Sequence, residues 1–67
     1  MISKFLKLRL DIGLDTQEEA ANEFGLHIQT IKSLDRGGNP DFDTVIKIQD
    51  AHRRIKGYDV DILSIFK

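Results

Sequence analysis

The side chains capable of acid–base or metal chemistry are scattered along this chain rather than gathered. His27 and His52 lie in separate segments, with no cysteine and no carboxylate partner at ligand spacing, so no metal site is expected. No nucleophile stands beside a base, no glycine-rich phosphate loop occurs, and no acid pair is clustered. Neither an enzyme nor a cofactor is therefore expected. A chain of 67 residues also leaves scant room for a substrate pocket. What remains is recognition chemistry: charged and hydrogen-bonding groups displayed on a surface.

Those charges are unevenly spread. The formal net charge is −1, but Lys4, Lys7 and Arg9 occupy the first ten residues with no acid among them. Asp11, Asp15, Glu18, Glu19 and Glu23 follow with no base between them, then Lys32 and Arg36, and later Arg53, Arg54 and Lys56. Segregation of this kind can give one positive face on a near-neutral molecule. It is equally the pattern of ordinary solvated helix surface, and composition alone favours that second reading.

The elements that must position these groups are legible from caps and apolar spacing. Ser3 caps a first helix to about Asp11, with Phe5, Leu8 and Ile12 at helical intervals and Gly13 ending it. Leu6 and Leu10 form a second pair off that face. Thr16-Gln17-Glu18-Glu19 has the form of a capping box, opening a helix to Phe24 with Ala20, Ala21 and Phe24 inward. Gly25 is placed as a left-handed C-cap. A third helix, about Ile28 to Arg36, turns Ile31 and Leu34 inward and stops at Gly37-Gly38. A connection this short between the second and third helices predicts the steep crossing of a helix-turn-helix. Asp41 caps a fourth helix with Phe42, Val45 and Ile48 inward; its later cations Arg53, Arg54 and Lys56 complement the helix dipole. Gly57 breaks it. The tail reads as a short fifth helix capped by Asp59, with a pairing strand as the competitor. One domain spans residues 1–67, and a chain of this size buries only about 60% of its unfolded surface.

From Arg9 to about His52 the chain resembles the Cro and phage-repressor helix-turn-helix family, also described as lambda-repressor-like. The resemblance is carried by Thr16-Gln17-Glu18-Glu19-Ala20-Ala21, Phe24-Gly25-Leu26, Thr30-Ile31 and Leu34-Asp35-Arg36-Gly37, followed by Asn39 to Ile48. It implies an all-α, compact five-helix domain whose motif spans about residues 16–36. It further implies a transcriptional regulator, such as a phage Cro-type repressor, that binds an inverted-repeat operator in duplex DNA as a dimer. In that family the second motif helix enters the major groove while the first crosses the backbone.

Carried onto this sequence, the third helix becomes the recognition helix, with Ile28, Gln29, Lys32 and Ser33 free to face bases. The Gln29 amide can donate and accept together, matching adenine N6 and N7. Ile28 suits a thymine methyl, or is one tolerated surface isoleucine. Lys32 can reach guanine, phosphate or solvent, and Ser33 specifies little. Gln17, His27, Thr30, Arg36 and Asn39 are phosphate candidates; for His27 a plain surface turn residue is the favoured alternative. The resemblance also implies a partly buried structural ion pair between Arg9 and Asp35.

Three departures from the family pattern stand out. The turn Gly13–Thr16 is one residue longer than usual, His27 fills a slot where Ser or Thr normally caps the recognition helix, and Gln49 and His52 replace apolar core residues. Leu6, Leu10, Ile62, Ile65 and Phe66 are surplus apolar residues, and segment 58–67 is either a dimer contact or packing of the fifth helix on the first. A protein-binding module such as an antitoxin on the same fold is the competing function, suited to the acidic second helix. No apolar run reaches the roughly 20 residues of a membrane span, and the first residues lack a signal-peptide core, so the cytoplasm is the expected location and no membrane partner is expected.

Overall fold

Each helix begins where a side chain takes up an orphan amide. The computed structural model describes residues 3–66. α1 (Lys4–Asp11) starts at Ser3, whose hydroxyl accepts from the Leu6 amide at 3.0 Å. α2 (Gln17–Phe24) starts at Thr16 with both halves of the capping box formed: the Glu19 amide donates to the Thr16 hydroxyl at 3.1 Å, and the Thr16 amide to the Glu19 carboxylate at 3.3 Å. α3 (Ile28–Asp35) starts at His27, and α4 (Phe42–Lys56) at Asp41, which accepts from the Thr44 amide at 2.8 Å. The Thr44 side chain and then its amide hold the Asp41 carboxyl below its ordinary value. Gly25 ends α2 in the left-handed region at φ 68°, where only glycine is unstrained, and its amide and that of Leu26 both return to the Ala21 carbonyl.

The described residues are helical and turn, with no strand among them. Four helices of two turns or more make the body, and α5 (Ile62–Ile65) is a single turn. The expected fifth helix is thus only one turn long. Asp61, not Asp59, stands at its N-cap position, without a side-chain bond. Asp59 is held elsewhere, by Arg53, which lowers the Asp59 carboxyl from its ordinary value and raises Arg53 in return.

α2 packs on α3 and α4, α1 on α3, and α4 on α5. The core joins Phe5, Ile12 and Leu14 from the first helix and its following turn to Ala20, Phe24, Ile31, Leu34, Ile48, Ala51 and Ile62. Ala20 and Ala51 are wholly buried, and side chains this small let neighbouring backbones close up. Phe5 anchors the centre, with ring centroids 5.7 Å from Phe24 and 6.0 Å from Phe66, a separation at which aromatic pairs add to plain burial.

α4 turns inward two of the three residues its apolar spacing predicts, Ile48 and Val45, but leaves Phe42 outside. Thr44, Ile48, Ala51 and His52 are its buried residues, Val45 is half-buried, and Phe42 is 76% exposed. Val45 and Ile48 belong to both the expected and the observed face, so the correction is confined to Phe42 in the first turn and to the buried Thr44, Ala51 and His52. His52 stays buried because its Nδ1 is 3.1 Å from the Tyr58 carbonyl and its ring meets Tyr58 edge-on. A polar residue at a core position is thereby satisfied.

Candidate functional site

The face of α3 that points away from the core is the region of interest. Ile31 and Leu34 are buried, which turns Gln29, Lys32, Ser33 and the following Arg36 to solvent along one side. Ile28 and Thr30 are half-buried flanks; the exposed isoleucine expected at position 28 is partly covered. Asn39 and His27 are exposed at the two ends. Lys32 and Arg36 give this strip two cations. The acid of α3, Asp35, is turned inward and neutralised, so the strip is locally positive on a molecule whose formal charge is −1.

Asp35 is the hub that fixes this helix. Arg9 grips it with both donors, Nε to Oδ1 at 3.1 Å and Nη2 to Oδ2 at 2.8 Å, and the two side chains are only 6% and 9% exposed. Arg9 Nη1 donates to the Leu14 carbonyl at 2.8 Å. One guanidinium therefore ties α1, the turn after it and the end of α3 into a rigid unit, with the bidentate geometry that arginine alone supplies. The turn before α2 is held by this bond and by burial of Leu14. Sequence reasoning missed Leu14; an apolar residue standing inside an otherwise polar turn was the available signal.

Gln17 is a member of the same network. Its Nε2 donates to Asp35 Oδ2 at 2.9 Å, so one of its two amide hydrogens is used within the protein. Glu18 and Glu19 are exposed beside it in the first turn of α2. This end of α2 therefore offers an incoming anion less than the sequence pattern promised.

At the start of α3, His27 does act as a cap: its Nδ1 accepts from the Gln29 amide, at a long 3.4 Å. At the end of α3 the Gly38 amide donates to the Ser33 carbonyl at 2.9 Å. The approach is so close that a Cβ on Gly38 would stand 2.6 Å from Ser33 Oγ. The lack of a side chain at Gly38 is what permits this close turn against Ser33, a constraint that the paired glycines signalled only as a helix stop.

The later cations lie away from this strip. Arg54 donates to the Glu23 carbonyl at 2.8 Å and Lys47 to the Gly25 carbonyl at 3.5 Å. Both reach the last carbonyls of α2, while Arg53, Arg54 and Lys56 stand in the last turn of α4 as expected. The surplus apolar residues are also largely spent inside the chain. Ile62 is 3% exposed, Ile65 and Phe66 pack against the core, and Leu6 is half-buried. Of the residues expected at a dimer contact, Leu10 alone remains exposed, because α5 docks on α4 and Phe66 lies against Phe5.

Among the described residues no group of three or more His, Cys, Asp or Glu could hold a metal ion, and no helix is long and apolar enough to cross a membrane. No protein-family model, no curated protein and no solved structure matches this chain.

Proposed function

We propose that this chain is a sequence-specific duplex-DNA-binding domain of the lambda-repressor-like type. In this reading it is a cytoplasmic transcriptional repressor that acts as a dimer on an inverted repeat. The observation that carries the reading is the exposed side of α3, where Gln29, Lys32, Ser33 and Arg36 project from a helix locked by the Arg9–Asp35 pair. A helix presented to the major groove must hold its side chains in register with base edges, and a buried bidentate pair at its end provides that rigidity.

Gln29 reads adenine through its amide, for about 1–3 kcal/mol of discrimination when both bonds form. Ile28 covers a thymine methyl with its exposed edge, and Ser33 hydrogen-bonds the neighbouring base. Lys32 and Arg36 take phosphates, joined by the Thr30 hydroxyl, the Asn39 amide, His27 and the second hydrogen of the Gln17 amide. With so few cations the salt dependence is shallow, since each neutralised phosphate contributes about −0.9 to the slope of log K against log salt.

Selection of bound sites from random duplex DNA at physiological salt tests this directly. A palindromic motif with half-sites one helical turn apart, about 34–36 Å, is expected, and a pool without enrichment overturns the proposal. The acidic exposed residues Asp15, Glu18 and Glu19 favour a second reading, a protein-binding antitoxin on the same scaffold. Substituting Gln29 and Ser33 together by alanine abolishes selectivity for a DNA reader and leaves an antitoxin bound to its partner.

A further inference from the structure

A groove of about 660 Å³ runs between the first half of α4 and the segment that leads into α5. Phe42, Val45, Ile46 and Gln49 line one wall, and Val60 and Ile62 the other. The four α4 positions stand at i, i+3, i+4 and i+7, the stripe by which one helix packs on a neighbour. Within this chain the stripe is covered along one edge only. Ile62 is 3% exposed, whereas Phe42 is 76% and Ile46 48% exposed. A phenylalanine held this far into water at the lip of an apolar groove marks an interaction surface.

Carboxylates rim the groove, and among the described residues no cation lines it. Asp41 and Asp61 belong to its lining, and Asp43 is exposed next to Phe42. None of the three forms an ion pair with another described residue. Asp41 keeps its charge, because Thr44 holds its carboxyl below the ordinary value. Lys47, the cation that Asp41 feels, gives its ammonium to the Gly25 carbonyl. Asp61 makes no side-chain bond at the start of α5. The groove thus offers an apolar floor and uncompensated negative charge together.

We propose that this groove docks an amphipathic helix of a partner protein, one whose apolar stripe ends in lysine or arginine. This is the helix-in-groove mode of recognition, read through anchors at i, i+3 or i+4, and i+7. Charge selects the occupant and its direction. A helix antiparallel to α4 brings its last turn against Asp41 and Asp43, where cations suit its own dipole as well as those carboxylates. A second copy of this chain is the poorer occupant, since its Arg53 and Arg54 are already held by Asp59, Glu23 and Asp50. Gln29, Lys32, Ser33 and Arg36 line no part of the groove, so a partner seated there leaves the outward strip of α3 open.

The test is selection from a library of displayed peptides about 15 residues long, enough for a helix to form, against the full chain. Peptides with Leu, Ile or Phe at helical intervals and Lys or Arg towards the C-terminal end are expected to be enriched. Titration of an enriched peptide by fluorescence anisotropy then reads the groove. Phe42→Ala should weaken binding about 30-fold, as loss of an aromatic anchor does. Asp41→Asn with Asp61→Asn should weaken it about 5-fold and flatten its salt dependence. Asparagine caps a helix as well as aspartate does, and all three positions are exposed, so circular dichroism of the variants should match the wild type.

A selection without enrichment, enrichment of acidic peptides, or binding unchanged by Phe42→Ala overturns the proposal. So does sedimentation of the chain alone as a dimer that Phe42→Ala dissolves, because the groove then holds a second copy. Site selection on DNA reads Gln29 on another surface, so failure of the groove and failure of DNA recognition give separate results.

Discussion

Two arginine–aspartate pairs in this molecule share a geometry and differ in almost everything else. Arg9 meets Asp35 through Nε and Nη2 at 3.1 and 2.8 Å, and Arg53 meets Asp59 through the same two atoms at 2.6 and 3.0 Å. The first pair is 6% and 9% exposed, the second 59% and 51%. Water competes for every bond of the outer pair and screens its attraction, whereas the inner pair has already lost its hydration and has only protein to satisfy it. Bond length alone would rank the outer pair first. Burial reverses that order, and it also separates their tasks: the inner pair orients α3, while the outer one fastens the chain after Gly57.

The largest effect should come from breaking the inner pair. Arg9→Ala leaves Asp35 buried with only Gln17 to satisfy it and strips the Leu14 carbonyl of its donor. A loss of about 3–5 kcal/mol is expected in urea unfolding. A chain of this length holds only about 3–10 kcal/mol in total, so this variant should keep little stability even without urea. Replacing both partners, Arg9→Met with Asp35→Leu, sharpens the point. It should cost less than Arg9→Ala alone, because no uncompensated charge is left inside. Equal or greater destabilisation would show that the pair contributes attraction rather than merely tolerating its own burial.

A middle-sized effect is expected at the exposed cap of α3. His27→Ser replaces the long 3.4 Å imidazole bond by a hydroxyl cap and should raise stability by about 0.5–1 kcal/mol. Unchanged thermal melting would mean that the imidazole already serves as a full cap.

Smaller still, Arg53→Ala should lower the melting temperature only slightly, and the loss should shrink as salt rises. A loss comparable with that of Arg9→Ala would break the comparison.

The smallest effect is a pH dependence. The Asp59 carboxyl is lowered from 3.8 by Arg53 and the Asp41 carboxyl by Thr44. A lowered folded-state value means the unfolded chain binds more protons in that window. The stabilisation is therefore complete above about pH 3.8 and lost as pH falls through the lowered values. Thermal melting between about pH 6 and pH 2 should show this decline, and Arg53→Ala should remove the Asp59 share of it.

How far the sequence was legible depended on how local the physics was. The Thr16 capping box, the Gly25 stop and the Asp41 cap involve partners within four residues, and all are formed. The outward strip on α3 followed from Ile31 and Leu34, because a two-turn helix with two strong core anchors has little choice of face. Reading α4 was harder. Val45 and Ile48 face the core as their spacing predicts, but Phe42 does not, and the buried Thr44 and His52 carry no hydropathy signal that would place them inside. The Gln17 side chain, assigned to a phosphate, turned out to have an acceptor in Asp35, a residue distant in sequence.

What the sequence determined by itself was where the four longer helices start and stop and that Gln29, Lys32 and Ser33 point outward, since capping and helical periodicity act within a turn or two of chain. Only the tertiary structure decided three further things. It left Phe42 in water at the start of α4, spent Ile62 and Phe66 inside the chain, and gave the Gln17 amide to the Arg9–Asp35 pair. Those outcomes depend on which surfaces meet. Which side of an amphipathic helix is covered depends on the shape of its neighbours, and the wholly buried Ala20 and Ala51 mark where small side chains let helices close up.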